Sequence, residues 1–151
     1  PIVITVNFLN EQFPIDYVFM GNAKRYSQFF SSIYENNQKS KLICTSNITE
    51  TKENVDYVVN YAELVCKDSD VIYDNPLVLL LNLLPKLNVK NAVLAGFDGY
   101  DNVIENNYYK EYVPMLYDTK NVINRNDSLK AFINSAKEKI NILTITPSKY
   151  L

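Results

Sequence analysis

The segment from Gly96 to Tyr100 places two of the chain's three glycines on either side of a carboxylate, Asp98. It follows an apolar run at 92–95 that is typical of a strand. Glycine lets a ligand approach the backbone closely, and a carboxylate can accept hydrogen bonds from ligand hydroxyls or bind a metal ion. A turn in which Asp98 bonds its own backbone explains the same pattern. The segment is therefore a candidate for either ligand binding or a structural turn.

A second candidate joins an apolar run to a helix start at Gly21 and Asn22. The free backbone N–H groups of a helix start, with the cations Lys24 and Arg25 beside them, suit a phosphate or a carboxylate. The alternative is that Asn22 only caps the helix and that the two cations lie on its solvated face.

Other polar residues also stand at the ends of apolar runs. Asp74 and Asn75 precede Pro76, a pattern typical of a helix cap, and the same helix start is suited to a ligand oxygen. In open parallel sheets, ligands bind outside the carboxyl ends of the strands. The sequence therefore predicts a ligand site built from the polar and glycine residues at these ends: Asn7, Gly21, Asn22, Arg25, Ser46, Asn47, Asp74, Asn75, Gly96, Asp98 and Tyr100.

Residues that the chain lacks exclude several kinds of site. There is no histidine, which rules out a Ser-His-Asp triad, a Cys-His pair and a histidine-ligated zinc site. Three glycines supply neither a GxGxxG turn nor a GxxxxGK[ST] loop, so a tight dinucleotide or ATP site is disfavoured. No metal site is expected, and Cys44 and Cys66 are interpreted as buried free thiols.

Charge and hydropathy exclude two further classes of partner. Fifteen basic and seventeen acidic residues give a formal charge of -2, so we expect no nucleic-acid partner. No apolar run approaches the roughly 20 residues that span a bilayer, and the N-terminus lacks the features of a signal peptide. These observations predict a cytoplasmic protein with no membrane partner.

Hydrophobic patterning predicts a three-layer, Rossmann-like α/β fold with a mostly parallel sheet and helices on both faces. Predicted strands cover 2–6, 17–20, 41–45, 56–60, 92–97 and 141–146, with 92–97 in the same central sheet as the first three. Predicted helices cover 23–34, the buried segment 77–84, which Pro85 bends or ends, and a segment that Asp127 and Ser128 cap. We expect one domain over 1–151. Because the chain starts directly with a strand, we expect it to be the C-terminal part of a longer protein.

Several segments taken in order resemble the C-terminal region of bacterial 4-hydroxy-2-oxovalerate aldolase-like proteins. They are 3–9, 16–26, 45–47, 74–75 and 94–100, and they cover roughly the first two-thirds of the chain. The resemblance implies that a metal-dependent barrel with the lyase site precedes this domain and contacts it in cis. No cofactor is then expected in this chain, and the divalent metal belongs to the barrel.

A more distant analogy at the level of the fold links the buried helix and the Gly-x-Asp-x-Tyr turn to bacterial sialyltransferases and motility-associated glycosyltransferases. The sialyltransferases use a catalytic histidine and a Ser-Ser-Gly turn before the helix. This chain has no histidine, and it has Asp74-Asn75-Pro76 at that place. The analogy implies a nucleotide-sugar pocket without implying transferase activity.

Three hypotheses follow. The first is a non-catalytic accessory domain of an aldolase that binds a nucleotide, a nucleotide sugar or a phosphorylated metabolite at the carboxyl edge of the sheet. The second is a glycosyltransferase-like enzyme, with Asp98 or Asp101 as base or metal ligand. The third is a protein-interaction module whose contact surface includes Tyr108, Tyr109 and Tyr112.

Overall fold

The computed structural model describes residues 1–8, 13–28, 40–49, 55–101 and 119–150. Among these residues there are six strands, three helices and one short 3-10 helix. The strands are β1 Ile4–Val6, β2 Tyr17–Met20, β3 Lys41–Thr45, β4 Tyr57–Val59, β5 Asn91–Leu94 and β6 Asn141–Thr144. The helices are α1, described over 23–28, α2 Pro76–Lys86 and α3 Thr119–Ala136, while the 3-10 helix spans Tyr61–Glu63.

The first four strands form one parallel sheet in the order β1-β2-β3-β4. Phe19 of β2 pairs with Val6 on one side and with Ile43 on the other. The central strands β2 and β3 are short apolar runs, and Phe19 and Cys44 are fully buried. Continuous apolar runs of this kind are typical of parallel strands covered on both faces. Because the strands are parallel, their four carboxyl ends meet at one edge.

Aspartates at the opposite edge fix the register of this sheet. Asp16 and Asp56 each stand immediately before a strand, in the repeated sequence Asp-Tyr-Val. The Asp16 carboxylate accepts a hydrogen bond from Val3 N at 2.7 Å, and the Asp56 carboxylate accepts one from Leu42 N at 2.8 Å. Each aspartate thus accepts a hydrogen bond from a backbone N–H of the neighbouring strand segment. Without the aspartate, the hydrogen bonds between the strands would leave that N–H unpaired.

The remaining two strands form a second sheet. β5 pairs with β6 in parallel, with Asn91 opposite Asn141 and Leu94 opposite Thr144. The described strands therefore form two sheets, and the prediction that β5 belongs to the same sheet as β1, β2 and β3 was wrong. Apolar runs identify strands, but the choice of neighbour depends on pairing between distant segments, which periodicity does not encode.

The segment 77–84 lies within helix α2 and is largely buried, as predicted. Asn75 caps it, since its Oδ1 accepts a hydrogen bond from Leu77 N at 3.0 Å. Pro85 lies in the last turn and does not end the helix. The C-terminal cap of α2 includes Asn88, which has φ 60°, and a hydrogen bond from Val89 N to Leu84 O at 3.1 Å. This is the hydrogen-bond pattern of a Schellman motif, in which asparagine takes the left-handed position that glycine usually occupies.

Helix α3 starts earlier than the sequence predicted. Asp127 and Ser128 do not cap it, because they lie inside a helix that begins at Thr119. Val122 is buried one to two turns before the predicted start, in line with the buried Leu129 and Ile133. Burial of this stripe outweighs the weak helix propensity of the Asn, Asp and Ser residues between them.

The chain divides into two compact units. Unit 1 consists of Pro1–Cys66 and Asp74–Leu80, and unit 2 consists of Lys67–Tyr73 and Leu81–Leu151. Parallel strands and helices built from apolar segments make this an α/β, Rossmann-like fold, which confirms the predicted class. Within the described ranges, no helix combines the length and hydropathy needed to cross a bilayer.

Candidate functional site

At the carboxyl edge of the first sheet, the side chain of Asn7 joins the ends of β1 and β2. The side-chain Oδ1 accepts a hydrogen bond from Gly21 N at 3.0 Å, and the backbone N–H of Asn7 donates to Phe19 O at 2.8 Å. Asn7 has φ 52°, a left-handed conformation that asparagine tolerates better than most residues. The predicted site residues Asn7 and Gly21 are therefore in direct contact.

The turn after β2 starts helix α1. Asn22 accepts a hydrogen bond from Arg25 N at 3.1 Å through its Oδ1, so the predicted cap is present. The Arg25 guanidinium donates to Gln28 Oε1 at 2.8 Å on the exposed face. Asn22 thus has a structural role, and Arg25 is already bonded along the helix.

Gly21 also lies against the start of helix α2. A methyl group at Gly21 would lie in ordinary contact with Pro76 Cα at 3.5 Å, but only 3.0 Å from Leu79 Cδ1, which is tighter than most side-chain contacts. Asn75 is buried and caps this helix, whereas the neighbouring Asp74 is exposed. Within unit 1, the structure therefore brings together Asn7, Gly21 and the first turn of α2.

The loop after β3 holds Ser46 and Asn47. Ser46 Oγ accepts a hydrogen bond from Tyr61 N at 3.1 Å, and Asn47 Oδ1 accepts one from the hydroxyl of Thr45, which is fully buried. Both side chains are exposed. They shape the loop, and their remaining polar atoms face solvent at the carboxyl edge.

Between this loop and helix α1 the structure contains a cleft of about 230 Å³. Its lining residues are Ala23, Lys24, Tyr26, Ser27, Ile48 and Thr49. Tyr26 and Ile48 are buried, whereas Lys24, Ser27 and Thr49 are exposed. The cleft thus has an apolar floor and a polar rim, and it opens where β2 and β3 end.

Sequence reasoning named Lys24 only as a nearby cation and missed the other lining residues. Ile48 and Thr49 are the first and second residues after Asn47, the last loop position that it selected. The parallel pairing of β2 with β3 brings these loops together, and a pattern read along one segment does not contain that information.

The turn after β5 lies in unit 2 and is fixed by several contacts. Gly96 N donates to Thr146 Oγ1 at 3.0 Å, and Lys149 N donates to Asp98 O at 3.0 Å. The φ angles of 68° at Gly96 and 106° at Gly99 explain why the turn contains glycine at both positions.

Tyr100, at the end of this turn, is bonded to helix α3. Its N–H and C=O both bond the side-chain amide of Asn126, and the Lys149 ammonium donates to the same carbonyl at 2.9 Å. The Tyr150 hydroxyl donates to Asn126 Oδ1 at 2.8 Å, and its ring lies 4.8 Å from that of Phe97. Burial raises the pKa of the Tyr150 hydroxyl above its ordinary value, so this donor stays protonated to a higher pH than an exposed tyrosine does. No sequence pattern indicated these partners, which come from α3 and from the segment that follows β6.

The carboxylate of Asp98 is exposed and makes no hydrogen bond with any described residue. The backbone of Asp98 and the contacts of Tyr100 hold the turn, so the side chain is left for solvent or a ligand. The predicted residues Gly96, Asp98 and Tyr100 are thus close together in unit 2, and the other eight lie in unit 1.

Several predicted features remain without a structural description. Residues 29–34 of the predicted first helix and Tyr108, Tyr109 and Tyr112 of the proposed contact surface lie outside the described residues. Within the described ranges, no group of three or more Cys, Asp or Glu side chains could hold a metal ion.

Fold and edge geometry together define a Rossmann-like α/β chain with polar groups at its strand ends. Comparison with protein-family models, with curated proteins and with solved structures found no match for the chain.

Proposed function

We propose that the chain is a non-catalytic accessory domain that binds a nucleotide, a nucleotide sugar or a phosphorylated metabolite at the carboxyl edge of its four-stranded sheet. The observation that carries this proposal is the cleft between helix α1 and the loop after β3. Parallel sheets place ligands at this edge because loops and helix starts there present backbone and side-chain donors. The resemblance to aldolase-like proteins supports the accessory role and a barrel partner in cis.

Three features of the edge support binding rather than a purely structural loop. The ends of β1 and β2 are fixed by the bond between Asn7 and Gly21, so the edge is preorganised. Its described polar residues include Lys24 and Arg25, which suit an anionic ligand. Ser46 and Asn47 expose polar atoms beside the cleft.

Calorimetry against CMP, UDP, GDP and their sugar conjugates tests the proposal, with amide NMR shifts to locate the site. We expect binding that shifts the resonances of 21–27 and 46–49. Asn47→Ala should weaken it, whereas Asn124→Ala, an exposed asparagine on α3, should not. The proposal fails if neither these compounds nor ribose 5-phosphate binds, or if the shifts map to other parts of the chain.

The accessory role has its own test. The resemblance assigns the metal-dependent lyase site to the barrel, so this chain alone should not cleave 4-hydroxy-2-oxo acids with any divalent metal. Turnover above a no-enzyme control that a chelator abolishes would contradict this role and leave the ligand site unaffected.

A glycosyltransferase-like enzyme is the second candidate, and the exposed carboxylate of Asp98 favours it. Asp98 stands on a fixed turn, and its carboxylate makes no hydrogen bond with the described residues. Such a carboxylate can act as a general base toward an acceptor hydroxyl. Release of a nucleoside diphosphate from a nucleotide sugar, lost in Asp98→Ala, would establish this candidate in place of the first.

A further inference from the structure

We infer that the cleft beside helix α1 binds the phosphate monoester of a small metabolite, with Lys24, Ser27 and Thr49 as the ligands of the phosphate. This inference rests on the proposed function and narrows its ligand class. The six described residues that line the cleft supply the chemistry.

The charge of the lining selects an anion. Among the described residues that line the cleft, Lys24 is the cation and none is a carboxylate. Its ammonium makes no hydrogen bond or ion pair with the described residues, whereas the neighbouring Arg25 bonds Gln28. A cation without a carboxylate partner at a concave surface favours a negatively charged ligand.

The hydrogen-bonding groups of the rim match phosphate oxygens. Ser27 and Thr49 are exposed, and their hydroxyls make no hydrogen bond with the described residues. Together with Lys24 they place a charged donor and two hydroxyl donors around one opening. A phosphate monoester carries a charge of about -1.5 to -2 at pH 7 and three strong acceptor oxygens, which fits this set of donors.

The size and floor of the cleft restrict the rest of the ligand. About 230 Å³ is below the roughly 300 to 1,000 Å³ typical of pockets for larger ligands. Buried Tyr26 and Ile48 offer an apolar floor for the carbon face of a small group next to the phosphate. A sugar phosphate suits this volume better than a complete nucleotide sugar.

Amide NMR titrations of the 151-residue chain with ribose 5-phosphate, inorganic phosphate and ribose test the inference. We expect the first two to shift residues 23–27 and 48–49, with tighter binding of ribose 5-phosphate, and ribose to shift neither. Lys24→Ala should raise the Kd for ribose 5-phosphate about tenfold, because it removes a charged donor. Ser27→Ala and Thr49→Val should each raise it about threefold, as expected for a hydroxyl donor.

Lys90→Ala is the matched control, because Lys90 is an exposed lysine in unit 2. It should leave the Kd unchanged. Equal Kd values for Lys24→Ala and Lys90→Ala, or equal binding of ribose and ribose 5-phosphate, would overturn the inference. If nucleotide sugars still shift 21–27 and 46–49 in that case, the proposed function survives. If no phosphorylated compound binds at this edge, both fail.

Discussion

The side-chain amide of Asn126 pairs with the backbone of Tyr100 in the manner of a neighbouring strand. Its Oδ1 accepts a hydrogen bond from Tyr100 N at 3.0 Å, and its Nδ2 donates to Tyr100 O at 2.9 Å. The same Oδ1 accepts the hydroxyl proton of Tyr150. One side chain of α3 therefore satisfies the backbone of the turn that carries Asp98 and links it to the end of the chain.

Replacing Asn126 with alanine should destabilise the chain by about 2 to 3 kcal/mol. The change removes three hydrogen bonds and leaves the backbone groups of Tyr100 and the Tyr150 hydroxyl without this partner. Urea denaturation measures the loss. Asn124→Ala, at an exposed asparagine two residues earlier in α3, serves as the control and should change the free energy of unfolding by less than about 0.5 kcal/mol. Equal effects of the two changes would show that the pairing with Tyr100 contributes nothing.

The two glycines of this turn should differ in their response to alanine. Both have positive φ, so alanine at either position should cost about 1 to 2 kcal/mol in backbone strain. A methyl group at Gly96 meets no atom within 4 Å, whereas at Gly99 it would lie 2.9 Å from Lys149 Cδ. Gly99→Ala should therefore be the more destabilising by about 1 kcal/mol or more. Thermal unfolding of the two variants compares them, and a larger loss for Gly96→Ala would contradict the contact with Lys149.

Gly21→Ala should lower stability by about 1 to 3 kcal/mol, because the new methyl group would crowd the Leu79 side chain. The contact at 3.0 Å is with Leu79 Cδ1, so Leu79→Val should relieve part of the crowding. A double-mutant cycle measured by denaturant unfolding tests this. We expect the double variant to lose less than the sum of the single losses. Strict additivity would mean that Gly21 does not pack against this side chain.

The local elements were largely predictable from the sequence, whereas their partners were not. The bounds of β2 and β3 match the apolar runs, and Asn75 before Pro76 correctly marked the start of α2. These features depend on side-chain type and on hydrogen bonds within a few residues. The start of α3 was missed because burial of Val122 extends the helix through a segment of poor helix formers.

The candidate site illustrates the same limit. Asn7, Gly21 and Asn22 were identified because they directly follow strands, and the structure places them at the carboxyl edge. Thr49 in the cleft and Asn126 beside Tyr100 were not identified. Thr49 lines the cleft together with Lys24, and Asn126 bonds Tyr100, so each has a partner about 25 positions away in the sequence. Such pairings depend on strand register or on helix docking.

The thiol of Cys44 should be inert in the folded chain. Cys44 is fully buried, and burial raises the pKa of its thiol to about 12. In the unfolded chain the thiol ionises near pH 8.5. Its contribution to stability is therefore complete below that pH and is lost as pH rises toward the folded pKa. In a Cys66→Ala background, iodoacetamide at pH 9 should label Cys44 only at the rate of unfolding.

Denaturant unfolding between pH 8 and 10 measures the same effect on stability. The free energy of unfolding should fall less steeply with pH after Cys44→Ala, since the variant has no thiol to ionise on unfolding. Rapid labelling of the folded chain, or identical pH slopes with and without Cys44, would contradict the burial of this group.

Substitution of Asp98 tests whether its carboxylate binds a ligand or stabilises its own turn. It is exposed and makes no hydrogen bond with the described residues, and the turn is held by the backbone bond from Lys149 N and by the contacts of Tyr100. Asp98→Ala should therefore change the free energy of unfolding by less than about 0.5 kcal/mol.

If a ligand hydroxyl bonds this carboxylate, the same change should weaken nucleotide or nucleotide-sugar binding about tenfold, as expected for a hydrogen bond to a charged group. Thermal shift and calorimetry with CMP-, UDP- and GDP-linked sugars measure both quantities on the same samples. Asp68→Ala, at another exposed aspartate, controls for the loss of one negative charge. A stability loss on the order of 1 kcal/mol with unchanged affinity would instead assign Asp98 to its own turn.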